Sequence, residues 1–384
     1  MDFIFTLFFI FLGVAFINSF KNKLSQNNYN TLQQLYFYHI LFGIYYYFFV
    51  LGDSVGYWKQ PKLMSYTNFI HFFNEEQGTY FIYALNYIPS NILNLSYFTG
   101  TIMYSLIGFI GLTYFYLVAL DCIPNNPKFK QYNLFPLLFF LPNLHFWSCA
   151  VGKDSLLFFC IGMYVYGLMN TGKRLVLILL ALALSYFIRP HITLFMIIAF
   201  GFSFVIANNK SLFQRILFFT IMIGIAIYIF PLVLKFAKID EATIDNFNSF
   251  ASNKASLLSR SHTGSAIDVS SYPLPIKIFT FLFRPFLFDI NSIPSLLAAI
   301  ENTLLLILSI NILINKPLSS FKKAPFVIKG MIYFLIIGTV AFSQSLGNLG
   351  IMIRMRNMFL PGLIIFILWH YSNLSKAETE DTTS

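Results

Sequence analysis

Apolar runs recur along the whole chain, separated by short connections in which Asn, Lys, Pro and Gly accumulate. A helix needs about 20 mostly apolar residues to cross the hydrocarbon of a bilayer. By that rule the pattern predicts about eleven spans, near 2–20, 35–51, 96–120, 134–150, 155–170, 175–188, 192–207, 213–234, 291–313, 325–343 and 357–372. The first run, "DFIFTLFFIFLGVAFINSF", has no basic segment before it and no small-residue cleavage site after it. It therefore reads as a retained membrane helix rather than a signal peptide. The expected fold class is all-α, a single polytopic membrane domain over 1–372 followed by a disordered cytoplasmic tail at 373–384. No internal or inverted repeat is visible.

Two connections interrupt this rhythm by their length, 52–95 and 235–290. The first contains "NFIHFFNEEQGTYFIYALNYI", expected to form an interfacial helix with Glu75 and Glu76 on its wet side. The second opens with an amphipathic helical pattern and continues through the polar, turn-rich "SRSHTGSAIDVSSYP". It ends in the apolar "IKIFTFLFRPFLFDI", which is expected to dip into the outer leaflet and break at Pro285. Irregular backbone at membrane depth is tolerated only where protein buries it or where it lines a wet cavity, and long connections of this kind are more often functional than idle.

Charge orients the chain. The short connections "KNKLSQNNYN", "DCIPNNPKFKQ", "TGKR", "NNKSLFQR" and "NKPLSSFKK" each carry two or three Lys or Arg. Short basic loops mark the cytoplasmic side, so the N-terminus is expected outside and the C-terminus inside. The alternate connections then bring the unusual polar residues to the outer face. These are Asp53, Lys153, Asp154, Arg189, His191, Arg260, His262, Arg284, Arg354 and Arg356. His39, His71 and His370 carry no partner signal.

Composition agrees with lipid as the solvent. The chain is 57% hydrophobic, with 48 Phe and 23 Tyr, and its mean hydropathy is +0.70. A soluble protein of 384 residues cannot bury that much apolar surface. Cys122, Cys149 and Cys160 show no CxxC and no His–Cys spacing, so neither a disulfide framework nor a metal site is expected. Nucleic acid is not implied either, because membrane helices split the basic loops.

Each polar candidate has a plain reading beside a functional one. In "HFWSCAVGKDS", Gly152 can end one helix and Asp154 or Ser155 can cap the next, which makes a hairpin turn with Lys153 at the interface. The stretch is not a phosphate-binding loop of the Walker type, since the first glycine is missing and Asp154 stands where Ser or Thr belongs. Arg189-Pro190-His191 interrupts a long apolar run, and its arginine can reach the interface or serve a site. Arg284-Pro285 repeats the pattern. Arg354 and Arg356 do not share one helical face, so one is expected to face a cavity and the other the lipid headgroups. Guanidinium groups suit phosphate and diphosphate because they bind in a bidentate manner and stay charged.

Outer-face Arg189, Arg260, Arg284, Arg354 and Arg356, together with the long connection 235–290, resemble the arrangement in bacterial polysaccharide polymerases of the Wzy, or O-antigen, type. The R-x10-G loop signature of better-known members is absent, and only the second long connection carries arginines. The resemblance implies a multi-pass glycosyltransferase of the bacterial inner membrane with an outward cavity. It would transfer glycan from an undecaprenyl-diphosphate carrier to a lipid-linked acceptor. Lys153, the five arginines and Asp53 would bind diphosphate and sugar, and His191, His262 or Asp154 would act as the base. No metal or cofactor is implied. Implied partners are the lipid-linked oligosaccharide, membrane lipids and a chain-length regulator or flippase. A transporter or flippase of lipid-linked or anionic substrate is the alternative. It would favour charges at the bilayer midplane and paired half-helices.

Overall fold

Nearly every apolar run becomes a helix, and about 80% of the chain is helical in the computed structural model. The structure describes residues 1–50, 52–206, 211–237, 243–259, 264–269 and 271–381. It divides into two units, Met1–Val118 with Pro136–Arg189, and Ala119–Phe135 with Pro190–Ser384.

In the first unit the helices are α1 (Asp2–Asn18), α2 (Gln26–Phe49), α3 (Asp53–Lys59), α4 (Tyr66–Glu75), α5 (Thr79–Asn86), most of α6 (Tyr97–Cys122), α7 (Pro142–Phe146), α8 (Lys153–Leu168) and α9 (Thr171–Ile188). The central helix is α6, enclosed along most of its length. It meets α8 where two glycines face each other: a Cβ on Gly162 would lie 2.5 Å from the Gly111 carbonyl oxygen. Small residues at a crossing let helix backbones approach in lipid, where close packing replaces the hydrophobic drive. The long connection 52–95 is a folded cap. Trp58 is 1% exposed and its indole N–H donates to the Leu95 carbonyl at 3.0 Å. Asn86 donates to the Tyr57 carbonyl and accepts from the Tyr104 hydroxyl of α6. The expected interfacial helix is α4, none of whose side chains is buried. On it His71 sits 3.3 Å from Glu75 and 3.9 Å from Glu76.

A buried histidine pair joins α2 to α7, with His39 Nδ1 3.0 Å from His145 Nδ1. The other His145 nitrogen lies 2.9 Å from the Phe139 carbonyl, which can only accept. Neutral His145 must therefore present a bare Nδ1, and His39 Nδ1–H donates to it.

The second unit contains α10 (Pro190–Ile206), α11 (Leu212–Ala237), α12 (Ile244–Ser259), α13 (Leu274–Phe283), α14 (Ile293–Ile314), α15 (Pro317–Lys323), α16 (Phe326–Ser345), α17 (Leu349–Arg356) and α18 (Leu360–Asp381). A two-stranded hairpin, β1 (Lys128–Phe129) and β2 (Tyr132–Asn133), rests on α18 through an edge-on contact of Phe129 with Tyr371. α16 packs against α10 and α18. Residues 264–269 add an edge to α17: Ile267 N–H donates to the Gly347 carbonyl, and Leu349 N–H donates to that of Ser265. α18 continues into the stretch expected to be a tail, and 382–384 lie outside the described residues.

Length decides the span count. Among the described residues five helices are long and apolar enough to cross a membrane, or up to seven if each of two bent pairs is one span. The expected eleven is not reached by this measure. α1, α10 and α13 are apolar but short, and α8 is 16 residues long. The run at 134–150 is broken by Pro136 and Pro142 into a 3₁₀ turn and the five-residue α7, because proline cannot supply the N–H that a continuous helix needs.

Candidate functional site

The sharpest concentration of charge in the first unit lies at one end of the α8–α9 hairpin. The two helices have 16 and 18 residues, so each runs about 25 Å at 1.5 Å per residue. Because they are joined by Met169 and Asn170 and pack side by side, the start of α8 meets the end of α9. Asp154, in the first turn of α8, thereby reaches Arg189, the residue that ends α9, and the two form an ion pair at 3.3 Å. Their side chains are only 11% and 13% exposed.

Gly152 makes the turn before α8. Its φ is +142°, a region L side chains rarely adopt, and a Cβ there would lie 2.7 Å from the ring of Tyr57. Tyr57 therefore closes over the turn, and Lys153 lies above its ring, Nζ 5.8 Å from the centroid. The same ammonium donates to Thr79 Oγ1 at 2.8 Å. Thr79 is carried there by Gly78, whose N–H donates to the Phe187 carbonyl near the end of α9. The expected turn is altered: the preceding helix ends at Phe146, Gly152 itself is the N-cap of α8 without a side-chain cap bond, and Lys153 and Asp154 are the first two residues of that helix rather than its caps.

Around this centre lies an aromatic run. Tyr57 and Tyr83 are 6.2 Å apart, and Tyr83 and Tyr80 are 6.1 Å apart on α5. Asp53, exposed at the first position of α3, stands one helical turn before Tyr57 and so shares its face. Burial foremost, then Tyr80 and then the Asp53 charge push the Tyr83 phenol above its ordinary value.

In the second unit, two of the expected arginines meet at the break after α13. Arg284 grips Asp289 through two N–H donors, at 3.1 and 2.6 Å, and its guanidinium lies 5.7 Å from the Phe288 ring. Burial alone would raise the Asp289 carboxyl. The Arg284 side-chain bonds and the Phe286 N–H outweigh it and hold the carboxyl below its usual range. Arg356 is 1% exposed and turns inward. It donates to the carbonyls of Phe281, Leu282 and Arg284, and at 2.6 Å to Asn302 Oδ1, while Asn302 donates to the Pro285 carbonyl. The Phe281 and Leu282 carbonyls are in the last turn of α13, where a helix leaves them without internal partners, and those of Arg284 and Pro285 follow it. Arg356 is therefore a structural clamp, and Arg354 is its less buried neighbour on α17. His191 is half-buried between Phe195 and Phe342, each ring about 6.0 Å away.

The expected residues thus fall into two groups: Asp53, Lys153, Asp154 and Arg189 in the first unit, and His191, Arg284, Arg354 and Arg356 in the second. Arg260 and His262 lie outside the described residues. Tyr57 belongs to "GYWKQP", whose aromatic residues suggest faces for a sugar ring, whereas Thr79, Asp289 and Asn302 were not anticipated. Of these three only Asp289 had a local signal, standing five residues after Arg284 in "RPFLFD". Among the described residues, no three His, Cys, Asp or Glu side chains gather closely enough to hold a metal ion. No family model matches this chain, and neither a curated protein nor a solved structure does.

Proposed function

We propose that this chain is an integral-membrane glycosyltransferase that extends a glycan held on a lipid diphosphate, with the outer end of the α8–α9 hairpin receiving the diphosphate. The observation that carries this reading is the half-buried pairing of Lys153 with Thr79 and of Arg189 with Asp154 at a helix break. Loss of a diphosphate lipid from an anomeric carbon leaves negative charge on the departing oxygen. Fixed cations in a poorly hydrated setting stabilise that charge more than water does, and they need no reorganisation during the step. Lys153 is suited to this task as a compact point charge on a flexible stem. Asp154 fixes the guanidinium of Arg189, and a fixed guanidinium suits a phosphate oxygen. The bacterial inner membrane, with the connection 52–95 outside, is the setting this chemistry requires.

The test is the surface glycan of a deletion strain, resolved by gel. Single repeats in place of a ladder, with lipid-linked repeats reaching the outer face, support a polymerase. An unchanged ladder rules it out. Repeats trapped on the cytoplasmic side assign the chain to transport instead.

A further inference from the structure

The connection 52–95 is tied to the ends of two membrane helices. α6, long and apolar enough to cross a bilayer, begins at Tyr97 just after it. The end of α9, a second such helix, is held to it by the Gly78 N–H bond to the Phe187 carbonyl. Asp53–Leu63 turns 87° from α2, so the chain runs across that helix rather than on along its axis. Met64 and Ser65 then lead into α4. At about 3.6 residues per turn, the apolar residues of α4 fill one arc in the order Phe72, Phe69, Phe73, Tyr66, Ile70, with Asn68, His71 and Glu75 opposite. Protein covers only half of that arc. Phe69 stacks on Tyr87 with ring centroids 4.7 Å apart, and Phe72 lies 4.7 Å from Tyr80 of α5. The other half is open: Tyr66 is 65% exposed, Ile70 39% and Phe73 46%.

We propose that this open arc of α4 docks on the bilayer surface, at the boundary of headgroups and acyl chains, whether or not the chain transfers glycan. An amphipathic helix buries its apolar face about 5–10 Å deep at that boundary, and amphipathic rings such as that of Tyr66 favour the same level. Leu63, just before α4, and Ile88 and Ile92 near the end of the connection add further exposed apolar side chains. Three side chains on a ten-residue helix are too few for a stable protein interface, which takes about 20–30 residues a side. They suffice for a segment that α6 and α9 already hold at the membrane. Charge makes the contact unselective. The connection carries Lys59 and Lys62 against Asp53, Glu75 and Glu76, and α4 itself has no Lys or Arg. Interfacial helices drawn to anionic lipid have basic polar faces, so α4 is seated by apolar burial and a neutral lipid is enough. The contact also sets a depth. Phe72 couples α4 to α5, whose first residue, Thr79, receives the Lys153 ammonium. Docking α4 therefore keeps that cation near the level of the lipid phosphates.

The experiment uses the full chain in liposomes of phosphatidylcholine alone. Ile70→Cys and Tyr66→Cys on the open arc, and Asn68→Cys on the polar side, each carry the environment-sensitive dye NBD. Cys122, Cys149 and Cys160 are buried, and wild type taken through the same labelling sets the background. All three positions are exposed, so the labelled proteins are expected to melt with wild type. At 66 and 70 the dye should emit to the blue and be quenched by a lipid bearing a nitroxide near its headgroup, not by iodide present on both sides. At 68 the order should reverse. Adding phosphatidylglycerol should change neither result. Iodide quenching at 66 and 70 as strong as at 68 overturns the contact. Shielding of 66 and 70 from both quenchers assigns the arc to protein and overturns it as well. Nitroxide quenching that appears only with phosphatidylglycerol overturns the seating by apolar burial.

Discussion

Asp154 and Arg189 lie on different helices and protect each other from a poorly hydrated setting, so removing either should cost more than removing both. Asp154→Asn and Arg189→Gln are each expected to lower stability by about 1–3 kcal/mol, with the double variant well short of the sum. Thermal unfolding of the four proteins in one detergent measures the coupling, and strictly additive losses contradict it. Gly152→Ala faces two separate obstacles, a positive φ and the Tyr57 ring. It should cost about 1–3 kcal/mol, and in a Tyr57→Ala background, itself destabilised by loss of a buried ring, its added cost should be smaller but not zero, because the backbone strain persists. No added cost in that background would show that the ring alone was responsible. The sequence announced Gly152 as a turn residue through local chemistry, but Asp154, expected as a cap, lies inside the first turn of α8, whose N-cap is Gly152. The sequence was silent on Thr79, and it marked Tyr57 only as one aromatic of "GYWKQP"; their places come from the distant Gly78–Phe187 hydrogen bond and from the missing Cβ at Gly152.

At the scale of elements, the break after α13 is held from both sides. Arg356 covers the terminal carbonyls from within, and the Arg284–Asp289 clasp closes it from the more exposed side. Arg356→Ala strands these carbonyls and Asn302, so a loss of about 3–5 kcal/mol, or no folded protein, is expected from expression and melting measurements. Asp289→Asn should be milder and pH-dependent. The folded carboxyl titrates below its unfolded value, so the clasp stabilises fully above the unfolded pKa and is lost as pH falls through the folded one. The melting-point gap between wild type and Asp289→Asn should therefore be present at neutral pH and vanish in strong acid. A gap unchanged across that range contradicts the clasp. Apolar periodicity located the helices well, because lipid and protein both reward a continuous apolar run. It misjudged 134–150, where Pro136 and Pro142 outweigh hydropathy.

At the scale of the whole molecule, only five to seven spans among the described residues meet the length and composition of a crossing, because several apolar helices are too short to cross alone. Hydropathy reports what a segment avoids, not how long its helix is. The single face expected to gather all the polar residues is seen only as two local groups, one in each unit. Orientation is open to direct test. Single cysteines at Ser25 and Ser65, both on connections outside the long helices, should be labelled from opposite sides, Ser65 from outside. Labelling of both from one side contradicts the proposed topology.

The most direct measurement is the glycan ladder of the deletion strain complemented, at matched membrane levels, with Lys153→Ala, Arg189→Ala or a control at the exposed Lys128. The account expects single repeats from the first two and a full ladder from the control. Full ladders from both hairpin variants would contradict it.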